Sequence, residues 1–138
     1  LNISGNFAIA DLSPLRKAFL DFEHVIKRYP HSQYAPDARR RMVYIRNTIA
    51  LHNLEIAKFY YDRHAYVGAA NRANHIVKHY QGSTAIPGAL VMMTATYQHL
   101  GLKKDAQQAL NVLKLNFPHN KNIPKLDGRQ QHPIATTS

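Results

Sequence analysis

His75 and His79 are the first residues whose spacing permits chemistry: four apart on a helix, they share a face and can chelate a divalent metal. Asp62 and His64 are the nearest further ligand types, but no spacing fixes a third ligand, and the H-E-x-x-H pattern of metalloproteases is absent. In a basic chain with nine histidines, solvent-exposed imidazoles are the more economical account, so neither a metal nor another cofactor is expected.

Catalytic equipment is equally thin. The absence of cysteine excludes disulfides, thiolate nucleophiles, cysteine-ligated zinc and iron–sulfur clusters together. Eight carboxylates supply no pair spaced as an acid–base dyad, and Ser13, Ser32 and Ser83 read as helix N-caps. Gly82 and Gly88 stand alone, not in a phosphate-binding loop. The expectation is a protein that is not an enzyme.

Charge points to partners instead. Eighteen basic residues against eight acidic give a net charge of +10, which suits an acidic protein face, nucleic acid or anionic headgroups. Arg39-Arg40-Arg41 with Lys27, Arg28 and Arg46 suggests a nucleic-acid patch. The stacking aromatics such a patch needs, Tyr29, Tyr34 and Tyr44, mostly occupy core-like helical positions, so no nucleic acid is expected. Met92 and Met93 beside Tyr97 read as inward packing. Arg63 and Arg72 are harder to dismiss: each is open to a salt bridge or a stem along apolar surface, or to contact with a carboxylate on an approaching partner.

The elements that position these residues follow a repeat. Three related endings recur: Val25 to Ser32, Ile76 to Ser83 and Val112 to Asn120, each an amphipathic helix closing on an aromatic residue and a turn. Residues 87–120 fit the tetratricopeptide pattern, with Leu90, Met93 and Tyr97 on a first helix, Ala106 and Leu110 on a second, Gly101 at the turn and Pro118 at the end. Moving back 37 positions from Tyr97 and Ala106 reaches Tyr60 and Ala69, which mark a preceding repeat. A half repeat at 14–32 carries Ala18, Phe22 and Val25, with Ser13-Pro14 as its start.

Ala18 to Ala69 spans 51 residues where the repeat has 37, and neither glycine nor proline interrupts Asp37 to Asp62. One long helix from 36 to 63 is therefore expected, burying Met42, Ile45, Ile49, Leu54, Ile56 and Phe59, with its repeat running to 83. Residues 1–13 read as an irregular segment. Residues 121–138, with Pro124, Gly128 and Pro133, read as an extended basic tail. No apolar run reaches the roughly 18 residues that cross a bilayer. The expected fold is all-α, tetratricopeptide-type, a right-handed superhelix with one long connecting helix.

Four stretches resemble a known family: Ala18 to Phe22, Arg28 to Tyr34, Ile56 to Arg63, and Asn71-Arg72 are similar in order and spacing to the outer-membrane assembly factor family BamD, over about residues 12–120. The resemblance is to the C-terminal part of that lipoprotein. It implies a piece of a longer chain whose lipidated cysteine and first two repeats lie elsewhere, and a place on the periplasmic side of the outer membrane, reached through a lipid anchor. It also implies docking on the membrane-proximal POTRA domain of BamA, with BamE-like and BamC-like lipoproteins nearby. The partner-binding residues it suggests are Asp62, Arg63, Asn71 and Arg72, the last matching an arginine that meets an acidic POTRA residue. Gln81-Gly82 departs from the family's turn without touching these positions. A general tetratricopeptide adaptor of the cell envelope, capturing peptides in its groove, is the competing reading.

Overall fold

Uninterrupted helix formers between Pro36 and the turn at His64 give the element that organises the rest. The computed structural model describes residues 11–131, and among them are six helices and no strand. They are α1 (Ser13–Arg28), α2 (Ala35–Asp62), α3 (Tyr66–His79), α4 (Ile86–His99), α5 (Lys103–Asn116) and α6 (Ile123–Gln131). The expected irregular segment lies, as far as residue 10, outside the described residues, as do residues 132–138.

Helix α2 has 28 residues, about 42 Å at the standard rise. Pro36 sits in its first turn, where the missing N–H costs nothing. No glycine ends it. His64 instead takes the left-handed conformation at φ 61°, and the N–H of Ala65 reaches back to the Tyr60 carbonyl at 2.9 Å. The two later turns use glycine for the same purpose, Gly82 at φ 79° and Gly101 at φ 73°.

Successive helices pack in antiparallel pairs, as tetratricopeptide-type repeats do. Helices α2, α4 and α6 also lie side by side, whereas α1, α3 and α5 stand apart with no mutual backbone approach within 8 Å. Small residues permit the close pairs: Ala50 and Ala57 on α2, Ala73 on α3 and Ala89 on α4 meet Leu54, Ile76 and Met92 in one core cluster. A second cluster joins Leu90 and Ala95 on α4, Leu110 and Leu113 on α5 and Leu126 on α6. Ile76, Leu110 and Leu113 are fully buried, and each contributes roughly 1.5–3 kcal/mol by leaving water. At Gly88 a Cβ would come within 2.6 Å of a Leu54 methyl, so α4 crosses α2 where only hydrogen fits without adjustment.

Several expectations need correction. Residues Ile123–Gln131 form α6, not part of an extended tail. Pro124 sits in its first turn, Ile123 and Leu126 share a face, and Leu126 inserts at 2% exposure into the second core cluster. The Gln98 side-chain amide donates to the Leu126 carbonyl at 2.9 Å, and Lys114 pairs with Asp127 at 3.0 Å. The apolar end of the last repeat is thereby covered.

The serine caps are absent too, since α1, α2 and α4 carry no side-chain cap bond. Asp11 accepts from the N–H of Ser13, the first residue of α1, and Ser32 Oγ from the N–H of Tyr34, the residue before α2. Ser83 is buried, in a turn clamped from α2: Asn47 Oδ1 accepts from the Thr84 N–H at 3.1 Å, and the Arg46 guanidinium donates to the carbonyls of Gln81 and His79. Ile45, Ile49 and Leu54 are buried as expected, but Met42, Ile56 and Phe59 only half-buried, because alanines take the closest contacts.

Candidate partner-docking surface

The small core positions Ala69 and Ala73 draw α3 against α2, and Arg72 is carried between them to the helix boundary. Its guanidinium donates to Asn53 Oδ1 at 3.1 Å. Asn53 is buried on α2 and its own amide donates to the Ile49 carbonyl at 2.9 Å, so the oxygen facing Arg72 is held in place from within the helix. An arginine fork spends one N–H this way and keeps the others for a ligand.

A depression of about 330 Å³ opens beside it, lined by Tyr60, Gly68, Asn71, Arg72 and His75. No acidic residue lines it, which leaves the cation uncompensated at close range. Burial lowers the His75 pKa below its usual value, and the neighbouring His79, Arg72 and Arg16 lower it further. Both effects favour its neutral form.

The four residues singled out by sequence fall into two places. Asn71 and Arg72 share the depression. Asp62 and Arg63 lie at the exposed end of α2, where the Arg63 guanidinium stacks 3.6 Å from the Phe59 ring centroid. Phe59 meets the Tyr60 ring edge-on at 5.7 Å, and Tyr60 lines the depression. One strip of surface thus runs from Arg63 through Phe59 and Tyr60 to Arg72, with Asp62 at its end and no ion pair holding either arginine among the described residues. Phe59, expected in the core, is half-buried in this strip, and Asn53 was not among the residues singled out by sequence. A buried polar residue amid an apolar helix stripe was the available signal for Asn53.

The competing chemistries fare as follows. His75 and His79 do approach, with ring centroids 4.5 Å apart, but among the described residues no group of three metal-ligating side chains forms. His64 is engaged by the Tyr66 hydroxyl at 3.1 Å. Arg40 and Arg41 are tied to Asp37 at 3.7 and 2.8 Å. Tyr29, Tyr34 and Tyr44 are not core residues: they are 56%, 67% and 70% exposed. The helical step between Tyr44 and Ile45 turns the isoleucine inward and the tyrosine out. No described helix is long and apolar enough to cross a membrane.

Known proteins are similar to this sequence. The protein named outer membrane protein assembly factor BamD from Xylella fastidiosa strain 9a5c is 38% identical over 126 residues, which is 91% of this chain and 42% of that protein. The protein of the same name from Vibrio cholerae is 37% identical over 106 residues, 77% of this chain and 44% of its own length. The one from Neisseria meningitidis serogroup A is 36% identical over 103 residues, 75% and 39% respectively. The chain thus spans less than half the length of these relatives. The family model described as an outer membrane lipoprotein, YfiO, matches residues 5–113, from before α1 well into α5, and this chain belongs to that family.

Proposed function

We propose that this chain is a non-catalytic docking scaffold in outer-membrane β-barrel assembly, seating the membrane-proximal POTRA domain of BamA on the strip from Arg63 to Arg72. The observation that carries the reading is Arg72: a half-buried guanidinium, oriented by the buried Asn53, beside a depression with no carboxylate of its own. Such a group has already lost much of its rotamer freedom, so an incoming Asp or Glu can form a charge-assisted pair without that ordering cost. The aromatic surface of Phe59 and Tyr60 supplies the apolar contact that surrounds such an anchor at interfaces.

The relatives' names as assembly factors support this role. Family membership supports a location on the periplasmic face of the outer membrane, with a lipid anchor carried by the longer protein. BamE-like and BamC-like lipoproteins are the further partners we propose, on surfaces other than this strip. Co-elution of the chain with a purified membrane-proximal POTRA domain in size-exclusion chromatography tests the reading. A joint peak supports it, and separate elution at concentrations well above micromolar contradicts it.

A further inference from the structure

A second basic site lies on the other side of His75. Because α1 and α3 stand apart, a cleft of about 580 Å³ opens between them with α2 as its floor, within the roughly 300–1,000 Å³ of ligand-sized clefts. Its floor and one wall are apolar: Phe19, Leu20, Ile49 and Tyr80. Its polar lining is entirely basic: Arg16 from α1, Arg46 from α2, and His75 and His79 from α3, with no acidic residue among the lining side chains.

Neither arginine is held in an ion pair among the described residues: Arg16 interacts at longer range with the exposed Asp11, which does not line the cleft, and Arg46 is spent on carbonyl oxygens, which leaves its charge in place. The two imidazoles sit with ring centroids 4.5 Å apart, and the Tyr80 ring meets that of His75 edge-on at 5.9 Å. The lowered His75 pKa, caused by burial and then by His79, Arg72 and Arg16, expresses the same crowding of positive charge. An anion placed here would relieve that repulsion. Leu20, 60% exposed at the lip of the cleft, leaves apolar area uncovered beside the charges.

We infer that the cleft between α1 and α3 binds an acidic peptide segment of a partner protein, its carboxylates on Arg16 and the His75–His79 pair and its apolar side chains on Phe19, Leu20 and Ile49. A compact inorganic anion would use the charges but not the floor. A peptide alternating acidic and apolar side chains uses both. The cleft shares only His75 with the depression beside Arg72, and the proposal stands whether or not a POTRA domain binds at Arg72.

The probe is a fluorescein-labelled, amidated hexapeptide alternating glutamate and leucine, titrated with the full chain by fluorescence anisotropy; its glutamine counterpart is the control. Saturable binding of the glutamate peptide is expected, tightening several-fold from about pH 7.5 to about pH 5.5 as His75, whose pKa lies below its usual value, takes up its proton. Arg16→Ala should weaken it roughly tenfold, and Leu20→Ser several-fold, with helical content by circular dichroism unchanged. Both positions are exposed, so the fold does not depend on them. Equal binding of the glutamine peptide, or indifference to Arg16→Ala, would overturn the proposal. So would full competition by inorganic phosphate at concentrations matching the peptide, or binding of a short oligonucleotide in place of the peptide.

Discussion

The Arg72 guanidinium donates to the side-chain oxygen of Asn53 at 3.1 Å, across the boundary between α3 and the long α2. Asn53 is 4% exposed and is itself anchored on the Ile49 carbonyl. A buried amide that aims an arginine outward is an orienting device, and it predicts that the two residues act together. Asn53→Ala should cost about 1–3 kcal/mol in urea unfolding, for the lost bonds and the cavity, and should weaken POTRA binding without removing a charge. Coupling is the check: once Arg72 is Ala, the further effect of Asn53→Ala on binding should largely vanish. Full additivity of the two changes would show that Asn53 does not position Arg72.

Helix α6 predicts where stability resides. Leu126 is 2% exposed within the cluster of Leu90, Leu110 and Leu113, so Leu126→Ala should lose about 2–5 kcal/mol in denaturant unfolding. Leu115, 82% exposed on α5, is the internal control and should change stability by no more than about 0.5 kcal/mol. Equal effects at the two positions would mean that α6 does not close the core.

The clamp on the turn between α3 and α4 has a local signature. Asn47→Ala leaves the Thr84 N–H without its acceptor, so hydrogen exchange at that amide should accelerate, with a stability loss of about 0.5–1.5 kcal/mol. Unchanged exchange at Thr84 would contradict the contact.

Acid should weaken the fold through His99. Its Nε2 shares a hydrogen bond of 3.0 Å with the Tyr61 hydroxyl, and its ring stacks on Tyr66 at 4.5 Å. Burial first, then Arg129 and His64, lowers its pKa from 6.5. With the folded value below the unfolded one, the unfolded chain takes the proton first as pH falls. The contribution is therefore full above about pH 6.5 and is lost progressively below it, down to the folded pKa. His75, also lowered, acts in the same direction. The melting temperature should drop by a few degrees between about pH 7.5 and about pH 5.5, and His99→Gln should flatten part of that drop. An identical pH profile in the variant would exclude His99 as a source.

How far the sequence alone leads differs between the fold and the surface. The long helix was legible because nothing between Asp37 and Asp62 can break it, and the repeat because alanine and tyrosine recur at matching positions. Helix α6 was not, because Pro124 and Gly128 read as breakers although proline is harmless in a first turn and Leu126 supplies the burial that overrides glycine. Tyr44 shows the complementary failure. Periodicity says that an aromatic lies near an apolar stripe, but which edge of the stripe faces a neighbour depends on where α1 and α3 cross α2. At the docking strip, Arg72 stood out by its place between Ala69 and Ala73. Its partner Asn53 lies 19 residues away, and only the packing of α3 on α2 joins them.

The most direct test of the docking account is calorimetric titration of the chain with the purified membrane-proximal POTRA domain, comparing the native chain with Arg72→Lys and Arg72→Glu. The account predicts saturable binding by the native chain, a loss of roughly tenfold or more with lysine, which lacks the fork, and no measurable binding with glutamate, at unchanged helical content. Binding by Arg72→Glu as tight as that of the native chain would contradict it.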